Sequence, residues 1–219
     1  MFLGKPNSHI ILALDTESKA EAIKVLDQTH DLIDVIKFNY PLILKEGLSL
    51  ISEIKQRYGL KILADFKVAD VPVTNNRIVE LVKKAGADAI MVHGFIGTDA
   101  LLEIMNIANN EIGVIIVTEL THPGGLEFTR PYSIDFANIC SLIDAYGIQA
   151  PGTRPDQINQ LRNTIGEKKT IVSCGVGAQG GDFREVLNAG ADFAIIGRAI
   201  YNAPNPREVV LNLRESVNV

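Results

Sequence analysis

Eight short apolar runs recur along the chain, and a parallel sheet is the arrangement that uses them all. They read "HIILALD" (9–15), "DVIKFN" (34–39), "LKILADF" (60–66), "DAIMVHG" (88–94), "GVIIVTE" (113–119), "GIQAPG" (147–152), "KTIVSCG" (169–175) and "DFAIIGR" (192–198). Most are continuously apolar and β-branched rather than alternating, which is how strands covered on both faces read. Segments with helical spacing lie between them. "ESKAEAIKVLDQT" (17–29) repeats apolar residues every three to four positions, and "TNNRIVELVKKAG" (74–86) ends on Gly86 as a C-cap after Lys83 and Lys84, cations suited to the negative end of a helix. "RPDQINQLRNTIG" (154–166), "GDFREVLNAG" (181–190) and "NPREVVLNLRES" (205–216) behave alike, the last with Pro206 in its first turn. "RPYSIDF" (130–136) reads as a turn entering a helix, with Ser133 as its N-cap.

Strands alternating with helices, without a linker or low-complexity gap, predict one α/β domain over residues 1–219, a (β/α)₈ TIM barrel. A doubly wound open sheet is the alternative. It would place a glycine-rich turn after the first strand, where "ALDTES" has no glycine. At 47% hydrophobic and 21% charged residues the composition is that of a globular chain rather than a disordered one. A net charge of −5 argues against a nucleic-acid surface. The first apolar run meets Asp15 too early for a signal peptide or a membrane span. Cys140 and Cys174 stand in no metal-ligand spacing and form no disulfide framework. The expectation is a soluble cytoplasmic protein.

A barrel gives meaning to the stretch "ILADFKVADVP" (62–72), which starts as a buried strand and then carries Asp65, Lys67 and Asp70. Barrel sites lie at the C-terminal ends of the strands. Asp15 ends the first run, Lys37 lies late in the second, and Asp65 and Lys67 end the third. Simple strand alternation puts Asp65 and Lys67 on one face, with Asp70 in the loop beyond. Opposite charges so placed form either a solvated salt-bridge cluster or a site. Two further loops favour a site: "SCGVGAQGGD" (173–182) and "IGRAIYNAPNP" (196–206) follow the seventh and eighth runs. Barrels bind phosphate there, on backbone N–H groups that glycine lets approach, and Arg198 adds a fork of donors. A phosphorylated small molecule is the expected substrate.

These residues resemble a known family. "DFKVAD" followed by "VPVTN" is similar to the D-x-K-x-x-D motif of the orotidine 5′-phosphate decarboxylase family, and "ALD", "IKFN", "VHG", "THPGG", "GVGAQGGD" and "IGRAIY" agree with it in order along the chain. The six-residue motif is shared with sugar-phosphate decarboxylases and aldolases, whereas the last two stretches are more particular to the orotidylate enzyme. The resemblance implies removal of CO₂ from C6 of orotidine 5′-phosphate, giving uridine 5′-phosphate, with no cofactor and no metal. Lys67 resembles the proton donor to C6, and Asp65 the residue near the departing carboxylate, acting by repulsion or by holding Lys67. Lys37 and Asp15 resemble the residues that hold the ribose hydroxyls. Asp70 and Thr74 resemble residues that family homodimers insert into the partner's site, with Asp70 and Lys37 counted in the catalytic set. Thr121 stands where the family more usually has serine, against the pyrimidine. Gln179 resembles the bridge between phosphate and base, and Gly175, Gly177, Gly180, Gly197 and Arg198 the phosphate grip.

The remaining polar residues have plainer readings. His93 and His122 suit loop positioning, His9 and His30 are bystanders, Cys174 is no nucleophile, and Tyr201 packs beside the phosphate loop. Two rival functions stand beside the decarboxylase. One is a metal-dependent sugar-phosphate decarboxylase or hexulose-phosphate synthase, which needs a carboxylate-rich metal site where this chain has Pro72 and Thr74. The other is a catalytically dead nucleotide-binding barrel, which the presence of Lys67 disfavours.

Overall fold

The apolar runs become eight parallel strands, each hydrogen-bonded to the next in sequence order and the last to the first. The computed structural model describes residues 1–217. In chain order its elements are β1 (Ile10–Ala13), α1 (Lys19–Thr29), β2 (Val35–Phe38), α2 (Tyr40–Glu46), α3 (Ser49–Tyr58), β3 (Lys61–Val68), α4 (Pro72–Lys84) and β4 (Ala89–His93). There follow α5 (Thr98–Ala108), β5 (Gly113–Val117), α6 (Gly125–Phe128), α7 (Ser133–Leu142), β6 (Gly147–Pro151) and α8 (Pro155–Ile165). The last are β7 (Thr170–Cys174), α9 (Phe183–Asn188), β8 (Phe193–Ile196), α10 (Arg198–Tyr201) and α11 (Pro206–Val217). This is the (β/α)₈ barrel expected from the runs, with a closed sheet and no free edge.

Because each strand is apolar on both faces, it feeds two cores. Ile11, Val35, Leu63, Ala89, Met91, Ile115, Val172 and Phe193 fill the barrel interior, joined by Leu3 from the N-terminal arm. Ile10, Leu12, Ile36, Ile62, Ile90, Ile116 and Ile148 point outward against the helices. The two sets alternate along each strand, as the two-residue period requires.

Several sequence signals act as expected. Gly86 takes φ 91° just past α4, whose last turn holds Lys83 and Lys84, and Pro206 opens α11. Ser133 does not cap α7. It is the first residue of that helix, a short 3₁₀ turn over Arg130–Tyr132 runs straight into it, and the Ser133 hydroxyl instead accepts from Gln157 Nε2 at 2.7 Å. Helices α2, α3, α5, α6 and α10 lie outside the helical segments expected from the sequence.

One departure from regularity shapes the site. Along β3, Ala64 pairs with Ile90 but Val68 pairs with Val92, so β3 carries two residues more than β4 over this stretch. Within the bulge Lys67 adopts φ +43°, a left-handed conformation that a side chain with a Cβ disfavours by about 1–2 kcal/mol. Simple alternation therefore does not explain how Asp65 and Lys67 come together. The bulge does, by turning Lys67 back over the strand end.

Candidate active site

The C-terminal mouth of the barrel opens into a cleft of about 750 Å³, counted to its rim. Its floor begins where the apolar interior stops. Ala13, Lys37, Asp65, Gln149, Cys174 and Ile195 border it from β1, β2, β3, β6, β7 and β8.

Four charges form an alternating row across one side. Lys37 Nζ lies 3.4 Å from Asp15 Oδ1 and 3.0 Å from Asp65 Oδ2, while Asp65 Oδ1 accepts from Lys67 Nζ at 2.5 Å. Each inner charge thus touches two of opposite sign. Lys37 and Asp65 are each only 3% exposed, so the solvated salt-bridge reading fails. Burial pushes the Asp65 carboxyl up, but Lys37 and Lys67 outweigh it and hold the group below its usual value. Burial likewise pulls the Lys37 ammonium down, and Asp65 and Asp15 raise it above its usual value. Both stay ionised at neutral pH because their partners interleave. Lys67 reaches further out, with its side chain 31% exposed at the cleft.

The opposite rim is glycine-rich. Gly175, Gly177 and Gly180 all have positive φ, and Gly177 N–H donates to the Gly181 carbonyl at 2.8 Å in a tight reversal. A Cβ on Gly175 would come within 3.2 Å of both Gln179 Oε1 and Thr121 Cγ2, so this glycine lets the β5 and β7 loops approach. Arg198, in the first turn after β8, is exposed and borders the cleft beside Gly197. Donors of this kind, with little carboxylate around them, suit a phosphate.

Of the residues expected from sequence, Asp15, Lys37, Asp65, Lys67, Thr121, Gly175, Gln179, Gly197 and Arg198 all line this one cleft. Gly177 and Gly180 shape its β7 loop without lining it. Asp70 and Thr74 do not line it. Asp70 is exposed, its Oδ1 accepts from the Val71 N–H at 2.6 Å, and its backbone N–H and C=O are both bound by the buried Asn75 side chain.

His93 ends β4 and is 8% exposed, its ring 4.5 Å from that of Phe95. Burial and the charge of Lys67 hold its imidazole down at about 4, so it is neutral near pH 7 and suits a wall better than an acid. The Cys174 thiol is pushed up to about 12 by burial and the neighbouring Asp65, and stays protonated.

Two features were missed from sequence. Glu119 is fully buried, with Arg154 Nε at 2.5 Å and Arg130 Nη1 at 3.5 Å, and Arg154 Nη2 donates to the Leu120 carbonyl at 2.8 Å. This pair fixes the loop that presents Thr121. The other is Gln149, whose signal was a lone amide inside the apolar run "GIQAPG".

Comparison with known proteins gives a consistent result. The family model described as Orotidine 5'-phosphate decarboxylase / HUMPS family matches residues 8–213. A Pyrococcus abyssi protein named orotidine 5'-phosphate decarboxylase is 44% identical over 209 residues, 95% of this chain and 98% of its own length. A Methanosarcina barkeri protein of the same name is 45% identical over 212 residues, 96% of this chain and 95% of its own. Among solved structures, orotidine 5'-monophosphate decarboxylase from Methanocaldococcus jannaschii, complexed with the inhibitor BMP, matches with a TM-score of 0.91 and 36% identity. It covers 96% of this chain and 98% of that one. The Pyrococcus horikoshii enzyme matches with a TM-score of 0.88 and 41% identity, covering 96% and 99%.

Proposed function

The chain belongs to the orotidine 5′-phosphate decarboxylase / HUMPS family, and on that premise we propose how it decarboxylates orotidine 5′-phosphate to uridine 5′-phosphate, a step of pyrimidine synthesis. The observation that carries the reading is the buried row Asp15–Lys37–Asp65–Lys67 facing a glycine and arginine rim across one cleft. The phosphate binds at Gly175–Gly180, Gly197 and Arg198, the ribose hydroxyls meet Asp15 and Lys37, and the base lies toward Thr121 and Gln179.

In this pose C6 of the pyrimidine faces Lys67. The C6–carboxylate bond breaks, CO₂ leaves, and the electron pair stays on C6. The Lys67 ammonium stabilises that carbanion and gives it a proton; the resulting amine regains one from solvent. Electrostatic and general-acid effects of this kind are each worth a factor of about 10² or more. Asp65 contacts both lysines, which supports a role in aiming Lys67. The left-handed Lys67 backbone is consistent with strain kept for positioning. No cofactor or metal takes part in this scheme, and the cytoplasm is its compartment, which cell fractionation would check. Loss of the orotidylate absorbance with purified protein and a chelator present is the test. Turnover that needs an added metal would instead favour the sugar-phosphate branch of the family.

The acting unit in this reading is a homodimer in which Asp70 and Thr74 serve the partner's cleft. Neither lines the cleft of its own chain, and the neighbouring Val71 and Val73 are 63% and 62% exposed, an apolar rim suited to a second copy. Mixing Asp70→Ala chains with Lys67→Ala chains tests it. Each is nearly inactive alone, and random exchange should restore about a quarter of wild-type activity, because half the dimers are mixed and each has one intact site. Exchange without recovery would place Asp70 in its own chain's site.

A further inference from the structure

Gln149 is out of place in the barrel interior. It sits on β6 between Val117 of β5 and Val172 of β7, both in the inner core. It is 2% exposed and borders the cleft, yet its Oε1 is buried and receives no hydrogen bond from any described residue. Its backbone is committed: the Gln149 carbonyl accepts from the Thr118 N–H at 3.3 Å and from Thr118 Oγ1 at 2.7 Å. The side chain alone is unspent. An apolar residue at this place would match its neighbours, whereas a buried amide oxygen without a donor costs stability. A donor that arrives with the ligand removes that cost.

The substrate assigned above, on which this inference rests, offers two kinds of donor. Its ribose hydroxyls lie at Asp15 and Lys37 on β1 and β2, and β6 stands opposite β2 in the eight-strand ring. Its pyrimidine, placed toward Thr121 after β5, has one ring donor, the imide N–H, flanked by carbonyl oxygens. A glutamine amide sets a donor beside an acceptor, which matches an imide's N–H beside its C=O. The carboxylate of orotate offers acceptors alone; it could take only the Nε2 donors and would leave the buried Oε1 without one. We propose that Gln149 is a specificity-determining residue that reads the imide edge of the pyrimidine through its side-chain amide.

The test compares wild type with Gln149→Met, a near-isosteric apolar replacement that leaves the charged row untouched. Three ligands are titrated: uridine 5′-phosphate, its 3-methyl derivative, which lacks the imide hydrogen, and ribose 5-phosphate. Wild type should prefer uridine 5′-phosphate over the methylated form by about tenfold or more, and the variant by no more than about twofold. Ribose 5-phosphate should bind both equally, and the ligand-free variant should melt no lower than wild type. Unchanged discrimination in the variant overturns the proposal, as does an equal loss for ribose 5-phosphate, which would make Gln149 a sugar contact. Gln149→Leu serves as the second variant if the first does not fold. Orotidine 5′-phosphate turnover is followed in the same wild-type preparation. Its absence removes the functional reading and this inference with it, whereas turnover with unchanged discrimination removes this inference alone.

Discussion

At the N-terminal ends of the strands Asp34, Asp88 and Asp192 each stand directly before β2, β4 and β8, and at the C-terminal ends Asp15, Lys37, Asp65 and Lys67 gather at the mouth. The lower carboxylates are bound to the main chain. Asp34 Oδ2 accepts from the N–H groups of Asn7, Ser8 and His9 at 3.0, 3.0 and 2.9 Å. Asp88 Oδ2 accepts from Ile62 N–H at 2.9 Å, with Lys55 and Lys61 each at 2.8 Å from the carboxylate. Asp192 Oδ2 accepts from Ile171 N–H and from Arg162 Nη2, both at 2.7 Å. The upper carboxylate Asp65 is held by two lysine side chains. Charge fixed to the backbone stitches strands together. Charge held by side chains can change partners when a ligand enters, which is what chemistry requires.

Asp65→Ala breaks this contrast hardest, because Asp65 alone at the mouth serves both ends' purposes. It should lose turnover by a factor of about 10² or more. It should also lose about 3–5 kcal/mol of stability, since Lys37 is left buried beside only the more distant Asp15. Adding Lys37→Met should return most of the stability and none of the turnover, as read by denaturant midpoint and kcat.

Acid sharpens the contrast through His93. Folding holds its pKa at about 4 against an ordinary 6.5, by burial and then Lys67. Between these values the unfolded chain binds the extra proton, so this stability is whole above pH 6.5 and falls as pH drops toward 4. The total is roughly 3 kcal/mol. His93→Gln should flatten that slope in melts across pH 4–6.5; an unchanged slope would put its origin elsewhere.

Arg198→Ala should have the smallest effect of the three. It is exposed and at the rim, so folding should be untouched, while phosphorylated ligands weaken by about 1.5–3 kcal/mol and the free nucleoside hardly at all. Equal weakening of nucleotide and nucleoside would remove Arg198 from the phosphate site.

Much of this was readable from the chain because strand periodicity and motif spacing are local. The eight runs gave the barrel, and the charges at their ends, with the glycine loops, gave nine residues of the cleft. What was not readable depends on distant partners. The β3 bulge arises from its register against β4, so the left-handed Lys67 has no signature in "DFKVAD". Glu119 looked like the tail of an apolar run because Arg154, which neutralises it, lies a strand away. Ser133 met the preference for a helix cap, but the preceding 3₁₀ turn already led into the helix and left its hydroxyl to Gln157.

The two ends of the barrel divide folding from chemistry, and one paired measurement tests this: kcat and unfolding midpoint on Lys67→Ala and Asp192→Ala. Lys67→Ala should lose turnover by several orders of magnitude, about 10⁴ or more, with its midpoint little changed, since alanine keeps the Cβ at the left-handed position and Asp65 keeps Lys37. Asp192→Ala should lose about 1–3 kcal/mol of stability, because the Ile171 N–H and the Arg162 guanidinium lose an acceptor while Arg162 keeps the Gly166, Lys169 and Gly190 carbonyls, yet keep kcat within about twofold at a temperature where it is folded. Near-normal turnover in Lys67→Ala, or a folded Asp192→Ala that no longer turns over, would overturn this division.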